Sequence, residues 1–461
     1  MGEVTLWKHQ QSTVDWMDQV RKGLVLQEPG LGKTLSALQY IISNNLKALI
    51  LCPKTLMDAA WQSDIETFFP EFMDYNLAFA SNREKAVKAQ PQILIANFEA
   101  VNWFAKKKSK HSRILPNMRY LEDYDICIVD ECVAFKNHSA QRSKSMRVVS
   151  RAFKQIYFMT GTPITKSVQD MWNICFMVDR GERLGQTLSG FRFNYCDSLP
   201  VPGAPLGVMK HVDKPGAALK LSETIADISI CYTRDEVMDL PPNQEAFIGH
   251  SLSPKSRKAY TEMVRHSITK MESGDMLVGI NKAVARNKLL QICTGSVYGN
   301  DGESIEVCTE RAELVAELCE EREHTVVFFL YRHQRDSYIQ QLEKKGLSYV
   351  YIDGSVNEKH RGGIVKEFQD GKYRVILLHP QTGSHGVTLT RATTTIFASP
   401  PGDRAEWLKQ GRARIWRGGQ DKKTETIYIY AKDTLEKKVY SAIQTNASVD
   451  DAFLGYIKDL T

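Results

Sequence analysis

Five short apolar runs punctuate the first half of the chain: "GLVLQ", "ALILCP", "ILIANF", "DICIVDE" and "QIYFMTGT". Each has the length of a strand, and amphipathic stretches such as residues 34–44 and 58–69 lie between them. Runs of four to eight apolar residues alternating with helical periodicity predict crossover units, and hence a parallel sheet covered on both faces. The scheme returns from about residue 310, with "HTVVFFLY", "LSYVYID", "RVILLHP", "TTIFASP" and "TIYIYA", separated by helical stretches at 334–345 and 359–368. The middle follows another pattern. Residues 195–220 are rich in Pro and Gly and read as loop, while 253–293 carry helical periodicity with no strand pattern. The expected fold class is therefore α/β, with two doubly wound parallel sheets in tandem and a helical segment between them. The prolines at Leu240–Pro241–Pro242 stop any regular element. They divide the chain into 1–240 and 241–461, the second part led by the helical segment at about 253–293.

Composition narrows the class without deciding it. At 461 residues the chain exceeds one ordinary core, and 43% hydrophobic with 25% charged residues is a globular balance. No apolar run reaches the roughly 18–20 residues that span a bilayer, and no apolar stretch follows a basic segment at the N-terminus. A cytoplasmic protein with no membrane partner is expected, in the nucleoid or, if phage-encoded, in the host cell. The net charge of +6 permits an anionic partner without demanding one. Nine widely spaced cysteines, with no CxxC pair, suit a reducing interior and resemble no zinc ligand set.

Chemistry enters at "LQEPGLGKT", which follows a strand pattern and opens a helical one. Gly30 and Gly32 let the backbone wrap close to phosphate oxygens, and the loop Pro29, Gly30, Leu31, Gly32 turns successive N–H groups inward. The helix that begins near Lys33 presents its positive end to the anion. Lys33 would reach the β- and γ-phosphates and the Thr34 hydroxyl would bind Mg²⁺. The first glycine of the usual spacing is replaced by Gln27. A second element strengthens the reading: "YDICIVDE" ends in Asp130 and Glu131, two acids at the tip of an apolar strand expected to neighbour the P-loop strand. Asp130 would then hold Mg²⁺, and Glu131 would orient or deprotonate the attacking water. The cofactors implied are ATP and Mg²⁺.

With these residues in place the chain resembles helicase superfamily two, and within it the Swi/Snf-type DNA-dependent ATPases. "LWKHQQSTVDWM" resembles the adenine-recognition motif, with Gln10 where the base is read. "EPGLGKT", "ALILCPKTLMDAAWQSDIETFFP", "ILIANFEAV", "DECVAFKN" and "MTGTPITKSVQDMWNI" follow in the family's order, and "CYTRDEVMDLPP" resembles its connection into the second lobe. Then come "YIDGSVNEKHRGGIVKEFQDG", with Asp353, Gly354, Ser355 and Arg361 at matching places, "GSHGVTLT" with Gly386, and "QGRARIWRGGQ" with Gln410, Arg414, Arg417 and Gln420. The resemblance implies two RecA-like lobes. It also implies nucleotide contacts by Gln10, Gly386 and Gln410, and catalysis by Lys33, Asp130, Glu131, Arg414 and Arg417. Some positions depart from the pattern. Cys132 and Val133 stand in the acidic box where a histidine is usual, Ser384, His385 and Thr388 alter the "GSHGVTLT" motif, and "PPGDRAEW" replaces an expected Trp-Asn-Pro.

The implied partner is double-stranded DNA, gripped by its backbone and hence without sequence preference. Candidate contacts are Lys54, Asn97, Thr162 and Gln381 after strand ends, and Lys106, Lys107 and Lys108 in the basic run "WFAKKKSKHSR". No strand-separating hairpin is visible in the sequence. The expected function is an ATP-dependent translocase or remodeller on duplex DNA. The alternatives are a strand-separating DNA or RNA helicase and an ATP-switched nucleic-acid-binding scaffold. Two lobes leave little chain for further modules, which favours support of repair, replication or recombination over nucleosome remodelling and leaves an unidentified protein partner open.

Overall fold

A computed structural model describes residues 4–107, 114–165, 167–200, 207–237, 242–272, 279–298, 304–306, 308–383, 387–401, 405–441 and 443–444. They form two compact units, each around its own sheet.

The strands of the first sheet are β1 (Lys22–Gln27), β2 (Ala48–Cys52), β3 (Tyr75–Ala78), β4 (Ile93–Asn97), β5 (Ile126–Asp130), β6 (Gln155–Thr160) and β7 (Ser229–Tyr232). All pairings are parallel, in the order β7-β1-β6-β5-β2-β4-β3. Because alternate side chains leave a strand on opposite faces, one apolar cluster takes Leu24, Leu26, Cys127 and Val129 while the other takes Val25, Ile126 and Ile128. Burial on both faces explains why these strands read as continuous apolar runs. One expectation is corrected by this order. The strand carrying the acid pair, β5, does not neighbour β1, because β6 lies between them. Strand order depends on crossover paths, which an apolar run does not record.

The second sheet is also wholly parallel. Its strands are β8 (Asn243–His250), β9 (Thr325–Phe328), β10 (Tyr349–Ile352), β11 (Val375–Leu378), β12 (Thr394–Phe397) and β13 (Thr424–Ala431), in the order β8-β13-β12-β9-β11-β10. The helical segment is present as Pro254–Glu272 and Gly279–Cys293.

Three further readings are corrected. On either side of residues 201–206 in the Pro/Gly-rich patch, Cys196–Pro200 and Met209–Asp213 form a two-stranded sheet, followed by a helix at Ala217–Ile225. The basic run is likewise flanked by an antiparallel pair, Ala105–Lys107 with Ile114–Pro116, where no hairpin was expected. The Trp103 ring, stacked 4.3 Å from that of Tyr120, roots this ribbon. The edge strands β3, β7 and β8 went unread because they are short or half-exposed and lack the continuous apolar signal of the central strands. All nine cysteines are free thiols, eight of them buried, and they pack as small hydrophobes.

Candidate nucleotide site and nucleic-acid contacts

The first sheet delivers its chemistry at the C-terminal ends of β1, β5 and β6. After β1 the chain turns through Gly30 and Gly32, both with left-handed backbone (φ 93° and 75°), into the helix Lys33–Ser43. Gly32 is required twice over. Its φ disfavours a side chain, and a Cβ there would lie 2.2 Å from Gln10 Nε2. The Lys33 ammonium folds back over the turn, its Nζ donating to the carbonyls of Gln27 (2.8 Å) and Glu28 (3.4 Å). Burial lowers its pKa, and the nearby charges of Glu131 and Asp130 partly restore it. Thus Lys33 and the acid pair share one electrostatic environment although β6 separates their strands.

Helix Lys8–Gln19 holds this loop from the other side. Gln10 Nε2 donates to Leu31 O (3.3 Å), Gln10 Oε1 accepts from Trp7 N (2.9 Å), and His9 Nε2 bonds Leu31 O at 2.9 Å. Gln27, where a glycine is usual, donates through Nε2 to Thr13 Oγ1 (2.6 Å). The substitution therefore ties the loop to the helix that carries Gln10.

Asp130 is buried at the end of β5, and Glu131 takes a left-handed conformation (φ 52°) that non-glycine residues rarely adopt. Such strain persists where surrounding structure imposes it and concentrates at functional sites. Burial, followed by the Glu131 charge, raises the Asp130 pKa well above the usual carboxylate range. Asp130 Oδ1 accepts from Glu131 N at 3.0 Å and Oδ2 from Trp61 Nε1 at 3.2 Å. Trp61 is fully buried within a wide helical turn, Met57–Gln62, and no sequence signal had connected it with the acid pair. An acid pair that burial and mutual repulsion disfavour fits a divalent cation. Thr34 and Asp130 are the residues that would hold Mg²⁺, the remaining ligands coming from phosphate and water.

The loop after β6 closes the site. A Cβ on Gly161 would meet Pro29 Cδ at 2.7 Å, so glycine lets the "TGTP" turn lie against the P-loop. Lys136, beyond the acid pair, donates to Thr165 Oγ1 and pairs with Asp170 (3.4 Å), and Asp170 also accepts from Thr165 N (3.0 Å). A change at either loop is therefore felt by the other.

The second unit treats its motif residues differently. Arg414 is 6% exposed and donates from Nε to Gln410 O (2.9 Å) and from Nη1 to Val387 O (3.1 Å). Arg417 is half-buried. Gln410 is buried, with Oε1 lacking a hydrogen-bond partner among the described residues. Gln420 donates to the carbonyls of Thr390, Ala392 and Ile415. Asp353 accepts from the backbone of Ser355 (2.8 Å) and pairs with Arg335, while Arg361 donates to Val356 O (3.0 Å). The side chains of Arg414, Gln420, Asp353 and Arg361 hold their own turns. Gly386 lies outside the described residues.

The nucleic-acid candidates divide. Lys54 and Gln381 are exposed. Asn97 and Thr162 are each only 4% exposed; Asn97 accepts from Arg83 Nη2 at 3.3 Å, and Thr162 N donates to Thr160 Oγ1 at 3.1 Å. Lys106 and Lys107 lie on the antiparallel ribbon, and Lys108 falls outside the described residues.

A P-loop and an acid pair at the ends of a parallel sheet, followed by a second parallel α/β unit, define a two-unit P-loop ATPase architecture. The family model described as SNF2-related domain matches residues 9–294, and that described as helicase conserved C-terminal domain matches residues 310–419. The chain belongs to the SNF2-related family. It is 24% identical to "Chromodomain-helicase-DNA-binding protein 1-like" of Danio rerio, over 98% of this chain but 44% of that protein. It is 22% identical to "Putative protein p41" of Acyrthosiphon pisum secondary endosymbiont phage 1, over 98% of both. Among solved structures it is similar to the "Sulfolobus solfataricus SWI2/SNF2 ATPase core in complex with dsDNA", at 20% identity and a TM-score of 0.43, covering 98% of this chain and 93% of that one. The chain spans less than half of the zebrafish relative. No helix among the described residues is long and apolar enough to cross a membrane.

Proposed function

We propose that this chain is a DNA-dependent ATPase that moves along duplex DNA, its two units dividing near residue 240. The observation that carries the reading is the meeting of Lys33, Asp130 and Glu131 in one electrostatic environment at the C-terminal edge of the first sheet. In this reading the turn Pro29–Gly32 and Lys33 bind the triphosphate, Gln10 reads the base, Glu131 positions the attacking water, and Arg414 and Arg417 stabilise charge on the γ-phosphate. Gly386 and Gln410 complete the nucleotide contacts. Mg²⁺ held by Thr34 and Asp130 would neutralise phosphate charge.

Duplex DNA is the substrate favoured by family membership, with Lys54, Gln381, the ribbon lysines Lys106 and Lys107, and Lys108 of the same basic run as backbone contacts. Asn97 and Thr162 then act by shaping their loops. The test is ATP turnover with duplex, single-stranded and forked DNA and RNA side by side, at several salt concentrations, joined to triplex displacement for translocation and fork opening for unwinding. Duplex should stimulate most, triplex displacement should proceed without fork opening, and stimulation should fall steeply with salt. Lys33→Ala should reduce turnover by about 10²–10³-fold or more, by loss of a phosphate-binding cation, with DNA binding retained. Unchanged turnover in Lys33→Ala defeats the motor reading.

A further inference from the structure

Residue Glu28 follows Gln27 at the start of the P-loop, and its negative charge acts on Lys33, the residue expected to meet a triphosphate. An anion there opposes the purpose of the loop unless something cancels it. The structure supplies that partner from the far end of the first unit. Arg234, 4% exposed, brings its Nε to 3.3 Å from Glu28 Oε2, and its backbone N–H donates to the same oxygen at 3.0 Å. Two residues earlier, Tyr232 O accepts from Glu28 N at 3.2 Å. The Tyr232 ring also stands edge-on to His9, which bonds Leu31 O. The end of β7 thus grips the P-loop through backbone, carboxylate and ring contacts. Both charges of the pair act on Lys33, Glu28 raising its pKa and Arg234 lowering it.

We infer that Arg234 is a positioning residue of the nucleotide loop: it holds Glu28, and with it the Lys33 turn, in the phosphate-accepting shape, and it cancels a carboxylate that would repel the triphosphate. This rests on the ATP-binding reading above and adds a residue more than 200 positions from the P-loop in sequence. It gives "CYTRDE" a physical task in the first unit, where resemblance had marked it only as a connection. Among the groups outside the nucleotide chemistry, this pair joins a buried cation to the loop that must accept an anion.

The test is a double-mutant cycle of Arg234→Met, Glu28→Gln and both together. It is read by equilibrium binding of a fluorescent ATP analogue, by kcat and KM for ATP with duplex DNA, and by thermal melting. Arg234→Met should weaken analogue binding and raise KM by about tenfold, the order expected for one uncancelled charge several ångströms from the phosphates at an effective dielectric constant near 20, with a smaller change in kcat. Glu28→Gln should stay within about threefold, and the double variant should return to that level. Should Arg234→Met fold poorly, Arg234→Lys keeps the charge and is expected to bind within about threefold of the unaltered protein. Binding by Arg234→Met equal to the unaltered protein, or a double variant as weak as Arg234→Met alone, overturns the inference. Nucleotide binding without hydrolysis by the unaltered protein would break the motor reading instead, and the cycle would still be readable in binding.

Discussion

The two parallel sheets share a plan but use their buried polar groups in opposite ways. In the first unit the groups at the strand ends hold local partners: Lys33 rests on two carbonyls of its own loop, and Asp130 carries a raised pKa beside the strained Glu131. In the second unit the buried polar groups are enclosed by the fold. Arg311 and Glu436, 1% and 0% exposed, form a bidentate pair. Arg311 also donates to Ala398 O (2.9 Å), and Glu436 accepts from Ala431 N (2.7 Å). A polar group that already has its full set of partners supports shape, and one held by a few carbonyls can exchange them for a ligand. The difference separates polar groups that can take up a ligand from buried pairs that hold a unit's shape.

Arginines sharpen this comparison most. Arg417→Ala should slow DNA-stimulated turnover by about 10³–10⁵-fold, the range for removing a charge-stabilising arginine, with modest loss of ATP affinity. Arg414→Ala removes a buried guanidinium bound to Gln410 O and Val387 O, so turnover and melting temperature should fall together. A melting temperature for Arg414→Ala equal to that of the unaltered protein would remove the structural role given to its two hydrogen bonds.

Next in size is the Arg311–Glu436 pair. Glu436→Gln leaves Arg311 as a buried charge without its counter-ion and should destabilise the second unit by about 3–5 kcal/mol. Replacing both with apolar residues (Arg311→Met with Glu436→Leu) should recover much of that loss. Hydrogen exchange resolved by peptide is the measurement, with the strands of the first sheet as internal control. Their protection should stay unchanged.

Much of this architecture was legible in the sequence because central parallel strands are buried on both faces and therefore written in apolar runs. The P-loop was legible for a related reason: glycines at 30 and 32 are demanded by left-handed backbone, and only a few residue types suit such turns. What escaped has physical causes. Strand order was hidden because β5 and β1 are joined by long crossovers whose path leaves no local trace. Trp61 was hidden because a buried Trp on a helix looks the same whether it only packs or also donates to Asp130. The antiparallel pairing of residues 105–107 with 114–116 was hidden by a lysine run that reads as solvated loop.

Acid should separate the two units further. Burial, and for His250 the neighbouring Arg311 as well, depresses the pKa values of His250 and His333 in the second unit to about 4. Each is neutral when folded, whereas the unfolded chain protonates near pH 6.5. Stability is therefore complete above about pH 6.5 and lost as pH falls towards 4, by roughly 1–3 kcal/mol per histidine as an upper range. Hydrogen exchange at pH 7 and pH 5 should show protection falling around β8 and the helix that carries His333. His333→Gln should flatten part of the response, and a full response in that variant would remove His333 from the account.

The smallest expected effect probes the first unit where its chemistry meets its packing. Trp61 Nε1 donates to one oxygen of Asp130 while Glu131 N donates to the other. Together they orient a carboxylate that burial alone would rather see protonated. Trp61→Phe keeps most of the ring volume and deletes one donor. A hydrogen bond to a charged group is worth about 1.5–3 kcal/mol, but the rotated carboxylate can recover part of this through Mg²⁺. Turnover should fall by about three- to tenfold, with a higher Mg²⁺ requirement and nearly unchanged melting. If Trp61 were only a core residue, Phe would leave the Mg²⁺ dependence of turnover where it was while melting alone dropped. The two outcomes differ in which curve moves, so this mild substitution distinguishes a packed ring from a donor that aims the acid.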